Sequence, residues 1–227
     1  MTGTWPLQSM SSNEPSISTL TAHHWYAHYF LAKAQPEQAL TEVKRAQVLD
    51  PLSFSINVGL GWCLYHARRY DEAIEQYRST LAIDPNFSLA HCTLGMACVQ
   101  KQLYAEALAE FSKALTLPGS RSFALANIAR TYALSGKPAE ARQVLRELEN
   151  SASHQYVPAM YIAAIYAALG EGDRSIRWIQ KAYEERSDYM VYLRTEPSVD
   201  RFRSDPRFQY LLKLIAAEPT HRDGPLK

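Results

Sequence analysis

Small and large apolar residues recur along this chain in steps of 34. Small residues stand at Ala27, Gly61, Gly95, Ala129 and Ala163, each preceded by a large apolar one: Tyr26, Leu60, Leu94, Ile128 and Ile162. Three positions after the small residue come Phe30, Leu64, Cys98, Tyr132 and Tyr166, and twelve after it Ala39, Ala73, Ala107, Ala141 and Ser175. Sixteen after it stand Val43, Tyr77, Phe111, Leu145 and Ile179, and nineteen after it Ala46, Thr80, Ala114, Leu148 and Ala182. Six columns stay in step over five copies, which cuts residues 20–189 into units 20–53, 54–87, 88–121, 122–155 and 156–189. Spacings of three and four put the apolar residues of each half-unit on one face of an α-helix. The pattern predicts first helices over 20–33, 54–67, 88–101, 121–135 and 156–169. Second helices are predicted over 36–49, 70–83, 104–117, 138–150 and 172–186. Repetition at this period is the signature of a stacked array.

Punctuation agrees with the columns. Asp50-Pro51, Asp84-Pro85 and Leu117-Pro118-Gly119 end second helices, because proline disfavours helical geometry at the residue before it. Gly136 and Gly170 fall at the turn inside the fourth and fifth units. Beyond the block, Asp205 is suited to cap a helix and Pro206 to open it. Phe208, Leu211, Leu212 and Ile215 then form an apolar stripe, so a helix over 206–217 is expected to close the exposed last unit, within a capping segment 190–217. Residues 1–19 are polar and aperiodic and read as disordered, or, through Trp5-Pro6, as a degenerate earlier unit. Residues 218–227 read as a frayed tail.

The period, the small-residue columns and the closing Asp-Pro resemble the tetratricopeptide repeat over residues 20–189. The resemblance implies an all-α fold: an α-solenoid of about five helix–turn–helix repeats in a right-handed superhelix with a C-terminal capping helix. It also implies that the concave surface binds peptides. The sequence departs from the family where Trp is frequent in the first helix: that slot holds His23, Asn57, His91, Leu125 and Ala159. A narrower resemblance lies in Tyr189–Pro197 and Phe202–Phe208, and in Ala22–His28, which are similar to repeat modules attached to bacterial winged-helix regulators and serine/threonine kinases. Neither effector domain lies within these residues, so this implies the sensory or scaffold part of a bacterial regulatory system.

Composition narrows the function. Lys plus Arg total 24 against 23 Asp plus Glu, a net charge of +1, which argues against a nucleic-acid-coating surface and gives no pull toward anionic membranes. The first basic residue is Lys33, and the longest apolar run, 157–169, is too short to span a bilayer. With 3 Cys, too few for a disulfide scaffold, a cytoplasmic location is expected. His24 and His28 have the spacing of a zinc pair, but no third ligand is evident. Gly59-Leu-Gly61 lacks the third glycine of a dinucleotide fingerprint. No catalytic residue, metal or cofactor is therefore expected.

What remains is the face of the first helices opposite the packing columns. It carries His28, Trp62, Met96 and Arg130 in one column, flanked by His24, Val58, Cys92 and Met160 on one side and Asn127 and Tyr161 on the other. This set predicts a groove for an apolar or aromatic partner segment with one acidic group for Arg130, in a non-enzymatic protein-interaction module. Two other readings stay open: an enzyme using His24, His28 or Cys92 on a helical-repeat scaffold, and a self-associating array paired through Trp5 or an uncapped first repeat.

Overall fold

The computed structural model describes residues 17–151 and 156–217, so the expectations for residues 1–16 and 218–227 lie outside it. The described chain is all-helical. First helices are α1 (Ile17–Ala32), α3 (Phe54–His66), α5 (Ser88–Gln100), α7 (Arg121–Leu134) and α9 (Ala159–Ala168). Second helices are α2 (Pro36–Leu49), α4 (Tyr70–Ile83), α6 (Tyr104–Thr116), α8 (Pro138–Ser151) and α10 (Gly172–Glu184). Each second helix packs on its own first helix and on the next one, and after two 3-10 turns (Asp188–Tyr192 and Pro197–Phe202) α11 (Pro206–Ala217) packs on α10. The architecture is an α-solenoid.

The turn between paired helices repeats atom for atom. One residue per unit is left-handed, at Ala34, Arg68, Gln102, Gly136 and Gly170, with φ from 56° to 81°. The residue after it donates its N–H to the carbonyl five back: Gln35 to Phe30, Arg69 to Leu64, Leu103 to Cys98, Lys137 to Tyr132 and Glu171 to Tyr166, all at 2.8–2.9 Å. This bond satisfies a helix-end carbonyl, and only the last two units use the residue best suited to the conformation.

Small and large columns interlock. A Cβ on Gly61 would stand 2.2 Å from the Tyr77 ring, and one on Gly95 2.6 Å from the Phe111 ring. The aromatic side chains of α4 and α6 therefore fit only over glycine. Where the large residue is aliphatic, the small one is alanine: Ala27 with Val43, Ala129 with Leu145 and Ala163 with Ile179, each pair inside one buried cluster.

The slot that departs from the family is filled by polar pairs 19 residues apart. His23 Nδ1 lies 2.6 Å from Glu42, Gln76 donates to Asn57 at 3.2 Å, and His91 Nδ1 lies 2.6 Å from Glu110. In the second and third units the same side chain also donates to the carbonyl of the proline closing the previous unit, Asn57 Nδ2 to Pro51 at 2.8 Å and His91 Nε2 to Pro85 at 2.9 Å. A buried polar group is tolerated when it is bonded in this way, and the bond ties each unit to the end of the one before. In the fourth unit Leu125 keeps the slot apolar.

At the C-terminal end, Phe208 and Leu211 of α11 bury against Ile176, Ile179, Leu193, Val199 and Phe202. Asp205 accepts the Arg207 N–H at 2.8 Å as the cap, and the Arg207 guanidinium holds its carboxyl down to about 2.

Candidate functional site

The first helices present their free faces to a common hollow, and the segment 187–203 runs back across it. Tyr192 is the centre of that contact. Its hydroxyl lies 2.7 Å from His28 Nδ1, and its ring sits 5.5 Å from His66 and 5.9 Å from Trp62, centroid to centroid. Thr195 Oγ1 lies 2.9 Å from His66 Nδ1, and Arg68 pairs with Asp200 at 2.9 Å. The concave surface of the first two units is thus taken up by the chain itself. His24 and His28 bring their Nε2 atoms to 3.1 Å. Burial pushes His66 down to about 4 and His28, also repelled by His24 and His66, to about 4, so both rings are neutral at pH 7. His66 Nε2 has no hydrogen-bond partner among the described residues.

Farther along, units three to five, with Trp62 of the second, leave a cleft with about 490 Å³ of free space out to solvent. Trp62, Met96, Phe123, Asn127, Arg130, Met160 and Tyr161 line it, with Tyr189, Glu196 and Ser198 of the returning segment. Tyr161 and Tyr189 join hydroxyls at 2.9 Å, and Phe123 stacks on Tyr161 at 5.3 Å. Asn127 donates to the Phe123 carbonyl at 3.0 Å. Glu196 accepts the Ser198 N–H at 2.9 Å. Arg130 is only 5 % exposed, yet no hydrogen bond or ion pair joins its guanidinium to a described residue. Its guanidinium is left facing the cleft, which Glu196 also lines.

The residues singled out in the sequence are therefore divided among three places. Trp62, Met96, Asn127, Arg130, Met160 and Tyr161 meet in the cleft. His24 and His28 stand at the far end, where His28 meets the returning Tyr192. Val58 is buried in the core of the first units. Cys92 does not line the groove: it is fully buried with Ala114 and Ala124, because its helix turns that position toward its neighbours. Burial pushes the Cys63, Cys92 and Cys98 thiols up to about 12, away from the thiolate a nucleophile requires. Among the described residues no group of three or more His, Cys, Asp or Glu is arranged to hold a metal ion, and no helix is long and apolar enough to cross a membrane.

Sequence reasoning missed Phe123, Tyr189, Glu196 and Ser198. It assigned the last three to the end of the array, and nothing in local periodicity reports that a segment following the last repeat crosses back over the first.

Family models described as tetratricopeptide repeat match residues 27–86 and 89–120. Solved structures share the fold at low identity. The thermophilic TPR protein TTC0263 of Thermus thermophilus superposes with a TM-score of 0.60 at 18 % identity, over 79 % of this chain and 98 % of its own. For pilF of Pseudomonas aeruginosa the TM-score is 0.55 at 19 % identity, over 87 % and 98 %. For a MamA fragment from Desulfovibrio magneticus RS-1 it is 0.51 at 15 % identity, over 75 % and 97 %. No curated protein matches the chain.

Proposed function

Because the chain is a tetratricopeptide repeat protein, of a class that mediates protein–protein interaction, we propose that it holds a partner segment in the concave cleft of units three to five. The observation that carries this reading is Arg130: its guanidinium lines the open cleft and makes no hydrogen bond or ion pair with a described residue, which suits an anion brought by another molecule. Around it the walls are aromatic and thioether, so the segment pairs one acidic group with Arg130 and lays an apolar side chain between Trp62 and Met96. Glu196 shares the cleft and disfavours a run of acids, which restricts the partner to a single carboxylate flanked by apolar residues. The chemistry is recognition rather than catalysis, since the thiols are held protonated and the histidines are locked against the returning segment.

The test is selection from a random peptide library on the purified protein, followed by titration against variants. Selected peptides are expected to carry one Asp or Glu beside aromatic or large aliphatic residues. Trp62→Ala and Arg130→Gln should each weaken them by about thirtyfold, or ~2 kcal/mol. The Arg130 contribution should fade with salt and the Trp62 contribution should not. Peptides whose binding survives both changes but is lost on replacing Glu75 or Arg78 of the outer helix α4 would move the interface off the concave surface.

A further inference from the structure

Units of a stacked array touch only their neighbours, so its curvature is a sum of small adjacent contacts and bends readily. The returning segment breaks that rule. Met190, Leu193, Val199 and Phe202 are buried in one cluster with Met160 of α9, Ile179 of α10 and Phe208 of α11, so the segment is fastened to the last unit. Its other contacts reach the first two units. Tyr192 meets His28 at 2.7 Å across 164 residues, Thr195 meets His66 at 2.9 Å across 129, and Asp200 pairs with Arg68 at 2.9 Å.

The residues that line the cleft are interleaved with these anchors. Tyr189 comes three before Tyr192 in one 3-10 turn, where side chains three apart fall on the same side. Glu196 follows Thr195, and Ser198 comes two before Asp200. The segment is also bonded internally. The N–H groups of Thr195 and Glu196 both go to the Tyr192 carbonyl at 2.9 Å. The Arg203 guanidinium donates to the Leu193 carbonyl at 3.0 Å, the Glu196 carbonyl at 3.1 Å and the Asp200 carboxylate at 3.0 Å. Cleft-facing and anchor residues are therefore held in one stiff piece. Trp62 belongs to both stretches: its ring sits 5.9 Å from Tyr192 and 4.6 Å from His66, and it lines the cleft.

We propose that residues 187–203 are a strut that fixes how far the first two units stand from the last, and so sets the width of the cleft between Trp62 and the segment's own Tyr189, Glu196 and Ser198. Detached from His28, His66 and Arg68, the array relaxes, Trp62 moves away from the segment and the cleft loses one side. None of these three residues, nor Tyr192, Thr195 or Asp200, lines the cleft, so they act on it as positioning residues. Partner binding is then linked to contacts at the far end of the molecule; this consequence rests on the reading of the cleft as a partner site, whereas the strut itself does not.

Spin labels on Lys44→Cys and Arg177→Cys, exposed positions of α2 and α10, measure the span by electron–electron dipolar coupling, since Cys63, Cys92 and Cys98 are buried. The full chain should give one narrow distance distribution. His28→Leu with Thr195→Val removes both histidine bonds and should broaden the distribution and shift it to longer distance. Tyr192→Phe with Arg68→Gln removes one of those bonds and the exposed pair at less risk to the fold, and should act in the same direction. An unchanged distribution in whichever pair keeps its helicity would overturn the strut and leave curvature to adjacent contacts alone. Peptides selected on the parent should bind the first pair of substitutions about tenfold more weakly, and bound peptide should narrow the distribution again, because coupling is reciprocal. A lengthened span with unchanged affinity would overturn the link between strut and cleft. If no peptide is selected, the partner reading fails and the span measurement still decides the strut.

Discussion

One concave surface is used in two ways. Over the first two units it is packed against the chain's own returning segment, with His28, Trp62 and His66 closed around Tyr192. From Trp62 onward over units three to five the helix faces stay open, and Arg130 there makes no hydrogen bond or ion pair with a described residue. The two stretches come from identical columns, so the difference is not one of fold. It is one of occupancy: aromatic rings and neutral histidines close around the chain's own Tyr192, whereas Arg130 lines an open cleft in which no described residue bonds it. The first stretch contributes stability, and the second is the surface proposed above to take a partner.

The comparison is broken most directly at Tyr192. Tyr192→Ala should cost about 3 kcal/mol by urea denaturation and release 188–202 to rapid amide exchange, because it removes both the ring cluster and the His28 bond. A loss near zero would show that the segment rests on the surface without holding it. Next in size is Arg130→Met, with the opposite sign for folding. Removing a charge that no described residue bonds should stabilise by about 1 kcal/mol while weakening a selected acidic peptide by about thirtyfold. Destabilisation instead would reveal a counter-charge within the fold.

Acid separates the two stretches again. His28 and His66 titrate near 6.5 when unfolded and are held down to about 4 by burial. Between those values the unfolded chain binds protons that the folded chain excludes. Their contribution is therefore complete above about pH 6.5 and is lost as pH falls toward 4. Stability measured from pH 7 to 4.5 should fall less steeply in His66→Leu than in the parent, and exchange in 188–202 should rise before exchange in α7 does. Parallel slopes would remove the histidines from the account. The smallest effect belongs to Asp200→Asn. The Arg68–Asp200 pair is exposed and solvent-screened, so about 0.5 kcal/mol is expected in the same denaturation assay.

How much of this could be read beforehand follows from the range of each interaction. The helices and the cap are set by contacts within and between adjacent units, and their signal is written at fixed spacing; α2, α4 and α11 occupy the predicted residues. The turns at 34–35, 68–69 and 102–103 were placed by the columns, but the left-handed conformation of Ala34, Arg68 and Gln102 was not legible, because such a residue that is not glycine carries no marker. In the cleft, the column through Met96 and Arg130 was legible from helix geometry alone. The isolation of Arg130 was not, since it depends on which side chains from 66 residues away fail to reach it. Tyr192 against His28 is a contact across 164 residues between elements of different period, and no column links them.

The glycine–aromatic interlock has a consequence for how such an array can change. A duplication or recombination that joins the first helix of one unit to the second helix of another must carry matching partners. Phe111 set behind Ala129 would meet a methyl group where Gly95 leaves none, and Leu145 set behind Gly95 would leave a void. The heritable module is consequently the whole 34-residue pair rather than the single helix. A crossover between units preserves packing when it falls in the loop after Pro51 or Pro85, and a crossover at the left-handed turn inside a unit does not.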